Sequence, residues 1–189
     1  MSSSILLSAS VPLPERDAKY FETADVIAIR DSIRSLITAI MPAAKIVFGG
    51  HPAITPMVRI VLRNMGVSPR EHITLYQSRF FEAQFPEENE SFEAVMLIDA
   101  AESLEASLLK MRTAMIRGHD FNAAIFIGGM EGVEQEYRLF REIHPKIPAY
   151  PIASTGAAAK LLFDQNCPEK EELLTDLHYL SLFRRLLQI

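Results

Sequence analysis

The sequence predicts a single α/β domain: a doubly wound, mostly parallel sheet of about six or seven strands with helices on both faces. Three observations carry that expectation. Short, apolar, β-branched runs alternate along the chain with stretches of helical periodicity. The length of 189 residues is enough to bury a good core but too short for two comfortable domains, so 1–189 reads as one unit. Two of the apolar runs end in glycine pairs that lead into helix starts, as strands do at the carboxyl edge of such a sheet.

Taken in order, Ile5 to Ala9 is the first strand, and the proline-bearing segment Val11 to Glu22 is a loop. Val26, Ile27, Ile29, Ile33, Leu36, Ile37 and Ile40 recur at helical spacing, and Pro42 ends that helix. Lys45 to Phe48 is the second strand. Thr55 reads as an N-cap with Pro56 at the first helical position, and Gly66 closes the helix. His72 to Gln77 is the third strand, and the acidic, phenylalanine-rich stretch Phe80 to Ser91 an exposed loop. Ala94 to Ile98 is the fourth strand, and Leu104 to Arg117 a helix stopped by Gly118. Ala123 to Ile127 is the fifth strand, Val133 to Ile143 a helix, and Pro148 to Ala153 the sixth strand. A helix runs through Phe163. Glu171 to Gln188 is a last amphipathic helix in one or two pieces.

Composition narrows the function. A net charge of −5 argues against broad nucleic-acid binding, which needs a basic surface. The lone Cys167 can form no internal disulfide and has no cysteine partners for a metal. The five histidines form no i, i+4 pair with a second ligand. Neither a metal nor a cofactor is expected. Ile5-Leu6-Leu7 is broken at Ser8, so the N-terminus lacks the apolar core of a signal peptide. No run approaches the roughly 18 apolar residues of a membrane span, and a reducing cytosol is the expected setting.

Four constellations carry chemistry. Gly49-Gly50-His51-Pro52 follows the second strand and precedes Thr55-Pro56. It is either a tight turn or an anion site, with His51 as a ligand contact or a cap. Gly128-Gly129-Met130-Glu131-Gly132 packs three glycines into five residues, flanked by Glu134 and Glu136. Acidic residues favour a helix's first turn, yet a carboxylate beside a phosphate site makes sense only if it touches another part of the ligand, such as a ribose hydroxyl. Ser154-Thr155-Gly156 suits an anion or ribose, or a plain N-cap. Ser8-Ala9-Ser10 puts small residues where a bulky one would block a crevice. Arg112 lies on the helix before the second glycine strand.

The order of these motifs resembles the SLOG superfamily, the Rossmann-like group uniting the lonely-guy phosphoribohydrolases with the Smf/DprA proteins. Ser8-Ala9-Ser10 with Tyr20 is similar to the small-residue loop and downstream tyrosine of the lonely-guy enzymes. Val47-Phe48-Gly49-Gly50 is similar to their first glycine turn, and the stretch Gly128 to Glu136 to their Pro-Gly-Gly-x-Gly-Thr-x-x-Glu signature. Ile127 stands in place of the proline, one residue is inserted before Gly132, and Val133 replaces the threonine. Glu136 falls at the position of the catalytic glutamate, and Arg112 near the catalytic arginine. The stretches Phe48 to Pro56, Gly128 to Glu134 and Ala153 to Ala159 together resemble a SLOG subgroup thought to sense nucleotide-derived signals in bacterial conflict systems, beside effector proteins.

Two functions follow from that resemblance. The first is a sensor. Its crevice holds a nucleotide or an NAD- or ADP-ribose-like molecule, with phosphates on the amides of Gly49, Gly50, Gly128 and Gly129. Ribose is held by Glu131 or Glu136, assisted by Thr155. The second is a phosphoribohydrolase in which Glu136 and Arg112 would be catalytic. A homo-oligomer is expected, both from the resemblance and because Leu177, Leu180, Phe183, Leu186 and Leu187 form more apolar stripe than a small domain easily covers.

Overall fold

The computed structural model describes residues 3–15, 17–41, 43–85, 92 and 94–189. Six strands, β1 (Ser3–Ser10), β2 (Ala44–Gly49), β3 (Ile73–Ser78), β4 (Ala94–Ile98), β5 (Phe121–Gly128) and β6 (Ala149–Ile152), form one sheet. Its order is β4-β3-β2-β1-β5-β6, and every ladder is parallel. Parallel strands need crossovers, and helices supply them. They are α1 (Ala18–Phe21), α2 (Val26–Ile40), α3 (Thr55–Met65), α4 (Pro69–His72), α5 (Leu104–Arg117), α6 (Glu131–Ile143), α7 (Ala157–Asn166), α8 (Glu172–Thr175) and α9 (Tyr179–Leu187). The architecture is the expected Rossmann-like doubly wound sheet.

Strand periodicity splits the core in two. Ile5 and Leu7 of β1, Ile46 and Phe48 of β2, and Ile125 and Ile127 of β5 pack with α2, α3 and α9 on one face. Leu6, Val47, Ala124 and Phe126 point the other way and pack with α5, α6 and α7. Ile33, Leu36 and Ile37 of α2 are fully buried, and burial of each such side chain stabilises by about 1.5–3 kcal/mol. The Asp25 carboxylate starts α2 by accepting from the Ala28 N–H at 2.9 Å, and the Ser103 hydroxyl starts α5 by accepting from Ala106. Gly66 closes α3 at φ +67°, in the left-handed region that glycine adopts without strain. Pro151 is tolerated because β6 is an edge strand.

Several expectations change. The expected loop Val11 to Glu22 contains α1, which buries Tyr20. Thr55 does not cap α3. Ile54 holds the cap position, and the Thr55 hydroxyl instead accepts the His51 N–H at 3.1 Å, closing the turn after β2. A short helix, α4, precedes β3, and the loop from Phe80 begins within a 3-10 turn, Arg79–Gln84. Pro42 and 86–91 of that loop lie outside the described residues.

The C-terminal helix is two pieces, α8 and α9. Phe183 is fully buried, and Leu186 and Leu187 pack on the same core, because α2 of the same chain covers them. The stripe that pointed to an oligomer therefore shrinks to exposed Leu177 and half-buried Leu180. Among the described residues, no helix is long and apolar enough to cross a membrane.

Candidate functional site

The strand order places the topological switch point between β1 and β5. The chain leaves β1 for α2 on one face and leaves β5 for α6 on the other. Ligands of open α/β sheets bind in the crevice at the carboxyl strand ends beside such a point. Ser10 and Gly128 are register partners there. Because all strands run parallel, Gly49 and Gly128 share the carboxyl edge, one strand to either side of β1.

The glycine amides are not open donors. The Gly50 N–H donates to the Tyr76 carbonyl (2.9 Å), and the Gly129 N–H to the Ser10 carbonyl (2.9 Å). The Gly128 N–H donates to the Thr155 hydroxyl at 2.8 Å, which in turn donates to the Ile152 carbonyl at 2.6 Å. The His51 N–H is held by Thr55, and Gly49 sits in β2 opposite Tyr76. The expected phosphate cradle is corrected accordingly: buried turns consume their own donors. At the start of α6, Val133 and Glu134 donate to the Met130 carbonyl, whereas the amides of Met130 and Gly132 have no backbone partner among the described residues.

Three loops are laced together over the crevice. The Asp25 N–H donates to the Thr155 carbonyl, the Ala158 N–H to the Gly129 carbonyl, and the Ala157 N–H to the Thr23 hydroxyl. Gly156 lies against the Thr23 backbone at φ +71°, and the next residue, Ala157, has φ +55°. A left-handed alanine costs on the order of 1 kcal/mol, and the lacing holds it there. Thr155 is thus a fully buried fastener. Ser154 turns away toward α9, where its hydroxyl meets the Tyr179 hydroxyl at 3.1 Å.

Two buried hydroxyls, Ser8 of β1 and Ser32 of α2, have no partner among the described residues, and Ser8 is the one near the carboxyl strand ends. The residue is 2 % exposed and its hydroxyl has no partner among the described residues. It lies in register with Phe126, on the face of the sheet where α5 and α6 pack. A buried hydroxyl without a partner costs about 1–3 kcal/mol.

Two polar groupings flank the crevice on that face. Arg112 of α5 reaches α6, with its Nε 3.2 Å from Glu136 Oε1 and its Nη1 2.6 Å from Gln135 Oε1. The two residues expected as catalytic partners are therefore brought together as an ion pair, each about one-eighth exposed. Glu134, which the sequence reading left as a mere flank, is the centre of the second grouping. The Tyr20 phenol donates to it at 2.8 Å, Arg138 pairs with it at 2.9 Å, and Lys19 lies at 3.8 Å. Burial pushes the Tyr20 phenol above its ordinary value. Gln77 of β3, buried against Gly50, was also missed. Glu131 is exposed on the first turn of α6, and His51 is half-buried with its Nδ1 accepting from Ala53. Burial lowers the His51 ring below the usual histidine value.

Two open clefts lie elsewhere. One of about 430 Å³ runs along Asp31, Arg34 and 177–181, and another of about 280 Å³ sits at the amino-terminal strand ends beside Tyr150 and Leu187. Neither touches the glycine turns. The candidate site is placed by the strand ends and the unpaired Ser8 hydroxyl, not by cavity size. Among the described residues, no cluster of three His, Cys, Asp or Glu side chains could hold a metal.

Known proteins bear on this geometry in three ways. The X-ray structure of TM1055, a Northeast Structural Genomics Consortium target, superposes with a TM-score of 0.59 at 12 % identity, covering 99 % of each chain. At that identity the likeness concerns the fold alone. No curated protein matches the chain. The SLOG cluster3 family model matches residues 19–187, which takes in α1 with Tyr20, both glycine turns, the Arg112–Glu136 pair and the laced loop at Thr155, so the chain belongs to the SLOG cluster3 family.

Proposed function

We propose that the protein is a binding module for a nucleotide or nucleotide derivative, of the NAD or ADP-ribose kind, and that it reports the ligand rather than consuming it. The observation that carries this reading is the buried, unpartnered hydroxyl of Ser8 at the switch point. It is a buried polar group two residues short of the carboxyl end of β1, beside the switch point at which open α/β sheets take ligands. With the glycine amides taken, the anion would fall to the first turn of α6, where the Met130 and Gly132 amides have no backbone partner among the described residues and the helix end is positive. Ribose hydroxyls would fall to Glu134.

Reporting follows from the same contacts. Glu134 already holds Tyr20 and Lys19 of α1, so a ligand that takes Glu134 releases α1. The displaced helix is the signal an effector protein would read, in a bacterial conflict system and a reducing cytosol. The test is a melting series with NAD, ADP-ribose and nucleoside monophosphates. A ligand at 100 times its dissociation constant stabilises by about 2.7 kcal/mol, and no shift with any of them sinks the reading.

The second reading is a phosphoribohydrolase, favoured by the Arg112–Glu136 pair. Cleaving the base–ribose bond builds positive charge on the sugar, which a carboxylate stabilises. Here the Glu136 carboxylate is already neutralised by Arg112, which leaves it poorly placed for that work. Release of free base at several turnovers per second, abolished by Glu136→Gln, would establish this reading instead.

A further inference from the structure

The three helices on the α2 face of the sheet differ in charge from the rest of the chain. α2, α3 and α9 together carry Arg30, Arg34, Arg59, Arg63, Arg184 and Arg185, with Asp31 as their one acidic residue and no lysine. The chain as a whole has a net charge of −5. All six arginines are exposed. Arg30 pairs with its neighbour Asp31, and Arg185 with Asp176 and Glu172. Arg34, Arg59, Arg63 and Arg184 make no ion pair among the described residues.

A run of charge is ordinarily a solvated face, and a cleft distinguishes this one. α2 lies between α3 and α9 and touches both. The cleft of about 430 Å³ follows the α2–α9 seam, with Asp31, Arg34 and Ser35 on one wall and Leu177, Tyr179 and Leu180 on the other. Arg184 stands one turn beyond Leu180 on α9. Leu177 is 63 % exposed, and Ile27, on the outer side of α2, is 65 % exposed. Arginine without lysine, beside exposed aliphatic side chains, is the composition of protein interfaces. A guanidinium is weakly hydrated and grips a carboxylate in a planar fork.

We propose that the α2–α9 cleft docks a short acidic segment of a second protein, with an apolar side chain seated between Leu177 and Leu180 and carboxylates on Arg34 and Arg184. Two copies of this chain do not suit one another here, because faces of like charge would meet. A lipid surface or a nucleic acid presents extended negative charge, so it meets the acidic remainder of the molecule as well as this face. A segment of a few residues meets only the local field, since exposed charges farther off than about 8–10 Å are screened at physiological salt. The face lies on the other side of the sheet from Arg112 and Glu136, so its occupancy is independent of the nucleotide reading. Tyr179, which lines the cleft, meets Ser154 at 3.1 Å, so a seated segment touches a residue bonded to the loop that carries Thr155.

Selection of phage-displayed random dodecapeptides on the full chain tests the proposal. The selected peptides are expected to be rich in Asp and Glu around a Leu, Ile or Phe. A synthetic peptide of the selected sequence should bind the Arg34→Glu, Arg184→Glu variant at least about tenfold more weakly than the unaltered chain, and raised salt should weaken it as well. Lys110→Glu, Lys146→Glu, at exposed positions away from this face, should bind it unchanged. Selection of no acidic peptide overturns the proposal, as does an acidic peptide that binds the charge-reversed variant undiminished. Phosphatidylserine vesicles or a single-stranded oligonucleotide binding more tightly than the peptide, and losing that binding in the same variant, would overturn it in favour of a membrane or a nucleic acid. If the charge-reversed chain does not fold, Arg34→Gln, Arg184→Gln decides: undiminished peptide binding by that variant overturns the proposal.

Discussion

The Arg112 guanidinium lies across the first turn of α6, with its Nη2 2.9 Å from where a Cβ on Gly132 would stand. The glycine that looked like part of a phosphate loop is thus a landing place for an arginine. With no side chain at position 132, Arg112 reaches both Glu136 and Gln135. Because Arg112 stands on α5 and both partners on α6, these contacts clamp α5 to α6.

A double-mutant cycle on Arg112→Ala and Glu136→Ala should return a coupling of about 1–2 kcal/mol, because the pair is charge-assisted and mostly buried. In a Gly132→Ala background the coupling should fall below about 0.5 kcal/mol. Overall stability should change little there, since alanine gains about 0.5–1 kcal/mol of helix propensity and the displaced atom is the free end of a flexible side chain. An undiminished coupling in that background would remove the clamp.

Gly129 behaves differently. Its φ is +90°, and a Cβ there would stand 2.3 Å from Val133 Cγ2. Gly129→Ala should destabilise the fold by about 1–3 kcal/mol from backbone strain alone, before any ligand is considered. Urea denaturation measures this. Val133→Ala should recover little of the loss, because it removes the Cγ contacts but keeps a Cβ 2.6 Å from the added one and leaves the strain. A neutral Gly129→Ala would show that the turn is not the constraint.

How far the sequence reading reached can be argued from single elements. α2 and α5 were found with their observed limits from helical spacing and the stops at Pro42 and Gly118, and the caps Asp25 and Ser103 are consistent with those starts. The strands were found as short apolar runs between helical stretches, two of them, β2 and β5, ending at glycine. α1 was not found, since only Tyr20 of its four residues is buried, too little to make a period. The fate of the glycine amides was invisible, because it depends on which strands adjoin: Gly129 is satisfied by Ser10 only since β5 lies beside β1. Glu134 was passed over because its partner, Tyr20, is 114 residues away. The C-terminal stripe was misread for the same reason, its cover being α2 of the same chain.

Stability should fall on the acid side through histidine. Burial lowers His51, and burial followed by the nearby Lys45 lowers His119, which sits between Tyr76 and Phe121. Each ring's folded pKa lies below the unfolded value of about 6.5. The unfolded chain therefore takes up protons first, and the contribution present above pH 6.5 is lost as pH falls through the folded values. Urea midpoints between pH 8 and pH 5 should decline, with His119→Gln flattening part of the slope. A slope unchanged in that variant would show that His119 carries none of it.

Ser8→Ala gives the sharpest test of the site, because the two accounts of that hydroxyl predict opposite signs. If the hydroxyl were part of the fold's own bonding, its removal would cost stability. As a buried oxygen without a partner, its replacement by a methyl-sized group should leave the ligand-free protein equally stable or about 1 kcal/mol more stable. The same substitution should erase much of the melting shift that a bound nucleotide produces, since the waiting partner is gone. Measured together on one variant, a raised ligand-free melting point and a lost ligand shift identify Ser8 as a binding group. A lowered ligand-free melting point with the ligand shift intact would place the ligand, if any, away from the switch point.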